Sequence, residues 1–149
     1  MSVLSQDEIK QILTTYKVVA IVGMSDTIGK HSYRVGAYLK QHRYQIIPVN
    51  PTIDKVLGCK SYRNLLDIPE RIQKNIEVVN IFRKPEDVLP IVEQALKLKV
   101  RYGKLRVIWM QVGIVNEEAA KTAREAGLTV IMDKCIMAEH HCLTKDVSI

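Results

Sequence analysis

The stretch VVAIVGMSDTIGKHSYR, residues 18–34, decides the fold. Its first part, VVAIVG, is a continuous apolar run rich in β-branched residues, the pattern of a parallel strand buried on both faces. A glycine ends the run and a polar turn follows. Ser32 is then placed to cap a helix that carries Val35, Tyr38, Leu39 and His42 on one face. Strand, turn and helix in this order open a βαβ unit. The turn reads Gly23-Met24-Ser25-Asp26-Thr27-Ile28-Gly29-Lys30. A dinucleotide fingerprint needs a second glycine here so that the backbone can approach a pyrophosphate. Ser25 stands in that place and the next glycine is Gly29, so this turn is longer and looser than a dehydrogenase's.

Outward from this unit the pattern repeats. YQIIPVN (44–50), IEVVNIF (76–82), LRVIWMQ (105–111) and LTVIMD (128–133) read as further strands. Ser5-Gln6-Asp7-Glu8 is a capping box ahead of Ile9, Ile12, Leu13 and Tyr16, which predicts a short leading helix over 5–16. PIVEQALKLKV places Pro90 at a favoured first helical position. Asn116 caps EEAAKTAREA, and Gly127 closes that helix. Alternating strands and helices imply an α/β domain with a doubly wound, mainly parallel, Rossmann-like sheet. The 149 residues suit one domain, with its core over 17–143. Ligands of such sheets bind beyond the carboxyl ends of the strands. The residues there are Gly23 to Lys30, Asn50-Pro51, Phe82-Arg83, Gln111 to Gly113, and Asp133 to Cys135.

The first turn leads into a helix N-terminus, where free amides and the positive dipole end attract anions. Lys30 and Arg34 add cations, so the turn suits phosphate. Gly23 is expected to serve that approach and to be replaceable without loss of the fold. An NAD site wants an acid at the end of the second strand. Here the strand ends PVNP, with no acid before Asp54, and Lys55 follows. A phosphorylated ribose fits better than a free diol, which leaves both NADP, with an oxidoreductase activity, and coenzyme A open.

Bulk properties narrow the class. A formal charge of +6 favours anionic partners. Aromatics at 5% and dispersed cations without a recognition motif argue against nucleic acid. The three cysteines, Cys59, Cys135 and Cys142, show no paired spacing and read as reduced thiols of a cytoplasmic protein. No apolar segment reaches membrane-spanning length. His140, His141 and Cys142, with Cys135 upstream, lack the recurring ligand pairs of a zinc site, so no metal is expected. Asp133 and Glu139 read as surface or capping carboxylates rather than a catalytic pair.

Several motifs, in one order, resemble a known family. They are VVAIVGMSDTIGKHSYRVGAYLKQHRYQIIPVNP, GCKSYRNLLDIPERI, VVNIFRKPEDVLPIVEQAL, VIWMQVGIVNEEAAKTAREAGLTVIMDKC and AEHHCL. Over about residues 16–143 the chain is similar to the single-domain CoA-binding proteins, and to the N-terminal CoA-binding domain of the succinyl-CoA synthetase α subunit. The resemblance implies a small-molecule ligand, CoA or an acyl-CoA. Gly23, Met24, Ser25, Lys30, Ser32 and Arg34 would take its phosphates. Val49, Asn50, Pro51 and Lys55 would frame the adenosine and its 3′-phosphate, and Phe82 and Arg83 would close over adenine and pyrophosphate. Trp109, Gln111 and Gly113 would lie along the pantetheine, with Cys135 beyond them. The chain departs from the family at Gly29-Lys30, where Arg or Pro is common. It departs again at Glu139-His140-His141-Cys142-Leu143, where the family often has Arg before the Leu. The expectation is a binding or regulatory module without a catalytic constellation, with a homodimer or another protein partner left open.

Overall fold

The computed structural model describes residues 4–147, with side chains to residue 144. The chain forms α1 (Gln6–Thr15), β1 (Val18–Val22), α2 (His31–Gln41) and β2 (Gln45–Val49). An antiparallel hairpin follows, β3 (Lys55–Val56) and β4 (Cys59–Lys60), then a 3-10 turn over Leu65–Asp67 and the short α3 (Glu70–Gln73). Next come β5 (Val78–Ile81), α4 (Val88–Tyr102), β6 (Val107–Met110), α5 (Glu117–Glu125), β7 (Thr129–Ile131) and α6 (Ile136–Val147). The five long-range strands pair in parallel in the order β2-β1-β5-β6-β7. This is a doubly wound α/β sheet whose connections reverse direction between β1 and β5, so the crevice for a ligand opens at those two carboxyl ends.

The sheet is buried on both faces, as continuous apolar strands require. One face packs Val92, Ala95 and Leu98 of α4 and the alanines of α5 against Ala20, Val79 and Ile108. The other packs Ile9 and Leu13 of α1, Val35 and Leu39 of α2, and Ile136 of α6 against Val19, Ile21, Val107 and Trp109. Trp109 is wholly buried, and its indole N–H donates to Lys134 O at 2.8 Å, so a large ring sits inside with no polar atom left over.

Caps at α1 and α5 form as the residues predict. Ser5 and Glu8 complete a capping box, and Asn116 Oδ1 accepts from Ala119 N. Gly127 follows α5 at φ +90°. Three local expectations are corrected. Helix α2 begins at His31 with Lys30 as its cap residue, and Ser32 lies inside the first turn. Its Oγ accepts from Ser25 N at 2.9 Å, so it braces the preceding turn instead of capping the helix. Helix α4 begins at Val88, after a 3-10 turn over Pro85–Asp87, so Pro90 lies within the first helical turn. There its missing N–H still leaves no bond unmade. The β2-to-β5 crossover is no regular helix but the hairpin, the 3-10 turn and the four residues of α3.

That crossover also covers the free edge of the sheet. Tyr62 N donates to Pro48 O and Asn50 N donates to Tyr62 O, beside a Val49–Tyr62 bridge. Pro48, in β2, has no N–H to present outward.

Two glycines are dictated by packing. Gly23 has φ +88°, and a Cβ there would lie 2.6 Å from Phe82 O, a backbone atom that cannot move aside. Gly36, in α2, would press a Cβ into the Met24 thioether, itself wholly buried. The expectation that Gly23 is dispensable for the fold is therefore wrong: it is what lets the end of β1 lie against the end of β5.

Helix α6 is fastened to α2 by an aromatic and imidazole cluster. Tyr38 OH bonds His140 Nδ1 at 2.8 Å, His42 stacks on Tyr38, and the edges of Tyr44 and His42 meet the His140 ring. Burial raises Tyr38 and pushes Tyr44 up to about 12, so both phenols stay protonated. Burial, then His42, Lys17 and His141, lower His140 below the usual histidine value. Neutral His140 then accepts a hydrogen bond from the Tyr38 hydroxyl at Nδ1.

Gly23→Ala is expected to destabilise the protein by about 2 kcal/mol or more, from strain at positive φ plus the clash, measured by urea unfolding. His140 protonates more readily unfolded than folded, so its contribution is complete above the unfolded pKa near 6.5 and is lost as pH falls below it. The wild-type thermal midpoint should fall across that window, and His140→Gln should flatten the slope.

Candidate functional site

At the crevice, the end of β1 is fixed before any ligand arrives. Gly23 N donates to Val49 O at 2.7 Å. Asn50 Nδ2 donates to Met24 O at 3.0 Å, while Asn50 Oδ1 accepts from Thr52 N and Thr52 Oγ1. The Asn50 side chain thus ties the two turns together. Ser25 Oγ accepts from Thr27 N at 2.9 Å and bends the turn back toward α2. The side chain of Met24 is core, so only its backbone faces the crevice.

Helix α2 starts without a side-chain cap and without an acid in its first turn. Arg34 N is the first amide to bond within it, to Lys30 O. The amides of His31, Ser32 and Tyr33 are left for another acceptor. Lys30 and Arg34 are exposed beside them. This is the arrangement that receives phosphate at helix starts.

Phe82 and Arg83 point apart at the end of β5. Phe82 turns its ring toward His31, edge to face at 5.9 Å between centroids. Arg83 lies 3.7 Å from Asp87 and lines a cleft of about 260 Å³ with Val22, Val49, Pro51, Arg63 and Asn64. The sequence reading missed Arg63, because nothing marked the crossover segment as bordering the crevice. Lys55 sits on the hairpin opposite Lys60 and is not among the residues lining the cleft.

On the other side of Phe82 lies a second polar group, made by Gln111, Asn80, His31 and Cys135. Gln111 is buried, and its Oε1 accepts from Ile136 N at 3.0 Å and from Asn80 Nδ2 at 3.1 Å. A backbone amide can only donate, so these bonds fix the orientation of the Gln111 amide. Its Nε2 faces His31 Nε2 at 3.5 Å, and Cys135 Sγ lies 3.5 Å from the same His31 atom. Asn80 Oδ1, wholly buried, has no partner among the described residues. Gly113 N donates to Asp133 Oδ1 at 2.7 Å, which joins the loops after β6 and β7. Trp109 is core and offers a ligand no side-chain surface. His31, the centre of this group, was also missed: no motif or spacing in the sequence sets it apart.

Along the carboxyl edge thus lie the Arg63–Arg83 cleft, the α2 N-terminus, and the group of Gln111, His31 and Cys135. The remaining clustered residues scatter: His140 packs on Tyr38, and Cys142 is exposed on α6. Among the described residues no three His, Cys, Asp or Glu come together to hold a metal ion. No helix of the described residues is long and apolar enough to cross a membrane.

The chain is similar to several known proteins. Uncharacterized protein YneT of Bacillus subtilis is 41% identical over 136 residues, covering 91% of this chain and 94% of that one. An ADP-forming acetate–CoA ligase of Archaeoglobus fulgidus is 36% identical over 83 residues, 54% of this chain but 12% of the ligase. A solved structure of a hypothetical protein from Pyrococcus horikoshii superposes with a TM-score of 0.85 at 41% identity, covering 95% of this chain and 93% of that one. Residues 17–141 match the family described as CoA binding domain, and the chain belongs to that family.

Proposed function

We propose that the protein binds CoA or an acyl-CoA across the β1–β5 crevice and acts as a carrier, sensor or regulatory module. The observation that carries this reading is the uncapped start of α2. Three amides without intrahelical partners, no acid in the first turn, and Lys30 and Arg34 alongside make a site for the CoA phosphates. The adenosine end lies against Val49 and Pro51 in the neighbouring cleft. The cations in that cleft are Arg63 and Arg83, so we assign the 3′-phosphate to Arg63 ahead of Lys55. A guanidinium suits a phosphate by its forked donors. The pantetheine runs past Phe82 toward Gln111 and Gly113. The similarity to part of a CoA ligase supports the same ligand class.

Titration calorimetry with CoA, acetyl-CoA, NADP and short DNA tests the reading. CoA should bind and DNA should not, and NADP binding more tightly than CoA would overturn it. Replacing both Lys30 and Arg34 by Ala should weaken CoA binding by about tenfold or more, through lost charge-assisted bonds. CoA should bind more tightly than 3′-dephospho-CoA, and Arg63→Ala should shrink that gap more than Lys55→Ala does. Equal affinity for the two ligands in the wild type removes the 3′-phosphate assignment.

A further inference from the structure

We propose that Cys135 is a thiol-exchange residue that, with His31 as its base, accepts the CoA moiety from a CoA disulfide and holds it as a mixed disulfide. The inference rests on the proposed CoA site and gives its sulfur end a chemistry.

The orientation of the Gln111 amide carries the argument. Ile136 N donates to Gln111 Oε1, so the NH2 group of Gln111 is the one turned to His31 Nε2. Nε2 must then present its lone pair, with the ring proton on Nδ1. The same lone pair lies 3.5 Å from Cys135 Sγ. That lone pair is shared between the Gln111 NH2 and the thiol, and it takes the thiol proton as the Gln111 hydrogen bond is given up. Asn80, whose wholly buried Oδ1 has no partner among the described residues, belongs to the same network through its Nδ2. Asn80 Nδ2 donates both to Gln111 Oε1 and to Trp109 O, so it too is held in one orientation.

Cys135 differs in this from the other thiols. Cys59 Sγ donates to Leu57 O within its own hairpin, and Cys142 stands exposed on α6. Among the described residues neither bonds an imidazole. Cys135 itself sits at the start of α6, where its carbonyl accepts from Glu139 N, so the backbone beneath the sulfur is fixed. His31 is exposed, whereas Cys135 is buried at 8% exposure, so a disulfide reaches the sulfur only from the His31 side.

The same bonds decide between two chemistries of a cysteine with a base. Attack on an acyl-CoA thioester makes a tetrahedral oxyanion, commonly held by the amide after the nucleophile. Here that amide, Ile136 N, is already bonded to Gln111 Oε1. Sulfur exchange develops no oxyanion and needs only a thiolate and an open approach. In the proposed step His31 Nε2 takes the Cys135 proton, and the thiolate attacks the CoA sulfur of CoA–S–S–R. The Cys135–S–S–CoA bond forms as the S–S bond of the disulfide breaks. The leaving thiolate R–S⁻ takes the proton back from His31 and departs as R–SH. The disulfide supplies the oxidising equivalents, and no other oxidant is required.

The test uses the reduced full-length protein with CoA disulfide, with glutathione disulfide and with acetyl-CoA, followed by intact mass and peptide mapping. One CoA adduct on Cys135, reversed by dithiothreitol and formed about tenfold or more faster than the glutathione adduct, is the expected result. His31→Ala, and His31→Gln as a milder second variant, should slow Cys135 labelling by about tenfold to a hundredfold and change its pH–rate profile. Calorimetry with reduced CoA runs in parallel on each protein. A protein that binds CoA but gives no adduct, or gives it mainly on Cys59 or Cys142, overturns this inference alone. So does a rate or pH profile unaltered by either His31 substitution, or acetylation of Cys135 that outpaces disulfide exchange. A protein that shows no CoA binding overturns the proposed function as well.

Discussion

Everything at the carboxyl edge depends on the approach of Gly23 to the carbonyl of Phe82. A side chain at residue 23 would put a carbon 2.6 Å from that oxygen, so the contact exists only because the residue is glycine at positive φ. It brings the ends of β1 and β5 together where the connections of the sheet reverse. From that point the chain is steered in two directions. Phe82 turns to His31 and the polar group around Gln111, while Arg83 turns to the cleft beside β2. One backbone contact therefore sets both halves of the crevice, and Asn50 secures it from the β2 side.

Much of this was legible in the residues. Continuous apolar runs located the five strands because burial on both faces leaves a strand no polar alternation. Ser5 and Asn116 marked helix starts because their side chains have one geometric use there. Ser32 misled because a serine near a helix start has two uses, and here its oxygen braces Ser25. The hairpin after β2 was not legible at all. Its two-residue turn is Leu57-Gly58 with both residues at positive φ, and a leucine in that role carries no turn signal. Missing the hairpin concealed Arg63 as well, since the crossover alone brings it to the cleft.

The site residues divide along the same line. Residues whose places follow from chain position, such as Gly23, Lys30 and Gln111, lie at the carboxyl edge as their strand ends imply. Met24 and Trp109 could not be told from ligand-facing neighbours, because alternation along a strand end is too short to say which side faces the core. His31 needed three dimensions: its partners, Gln111 and Cys135, lie 80 and 104 residues away in the chain. The polar group also shows how a buried amide can act at a distance. Gln111 takes its orientation from the start of α6 and turns its NH2 toward an imidazole on α2, so two helices from distant parts of the chain meet through one amide.

The covered edge of β2 has a consequence for how this protein meets copies of itself. An open parallel sheet ends in a row of unpaired donors and acceptors, a template on which another strand can grow. Here Pro48 brings no donor to that row, and its carbonyl is already bonded to Tyr62 N. A visiting strand would find the first rung missing and the next occupied. The same short crossover that carries Arg63 to the crevice thus takes up the outward backbone groups of Pro48 and Asn50, which leaves a visiting strand no ladder to extend there.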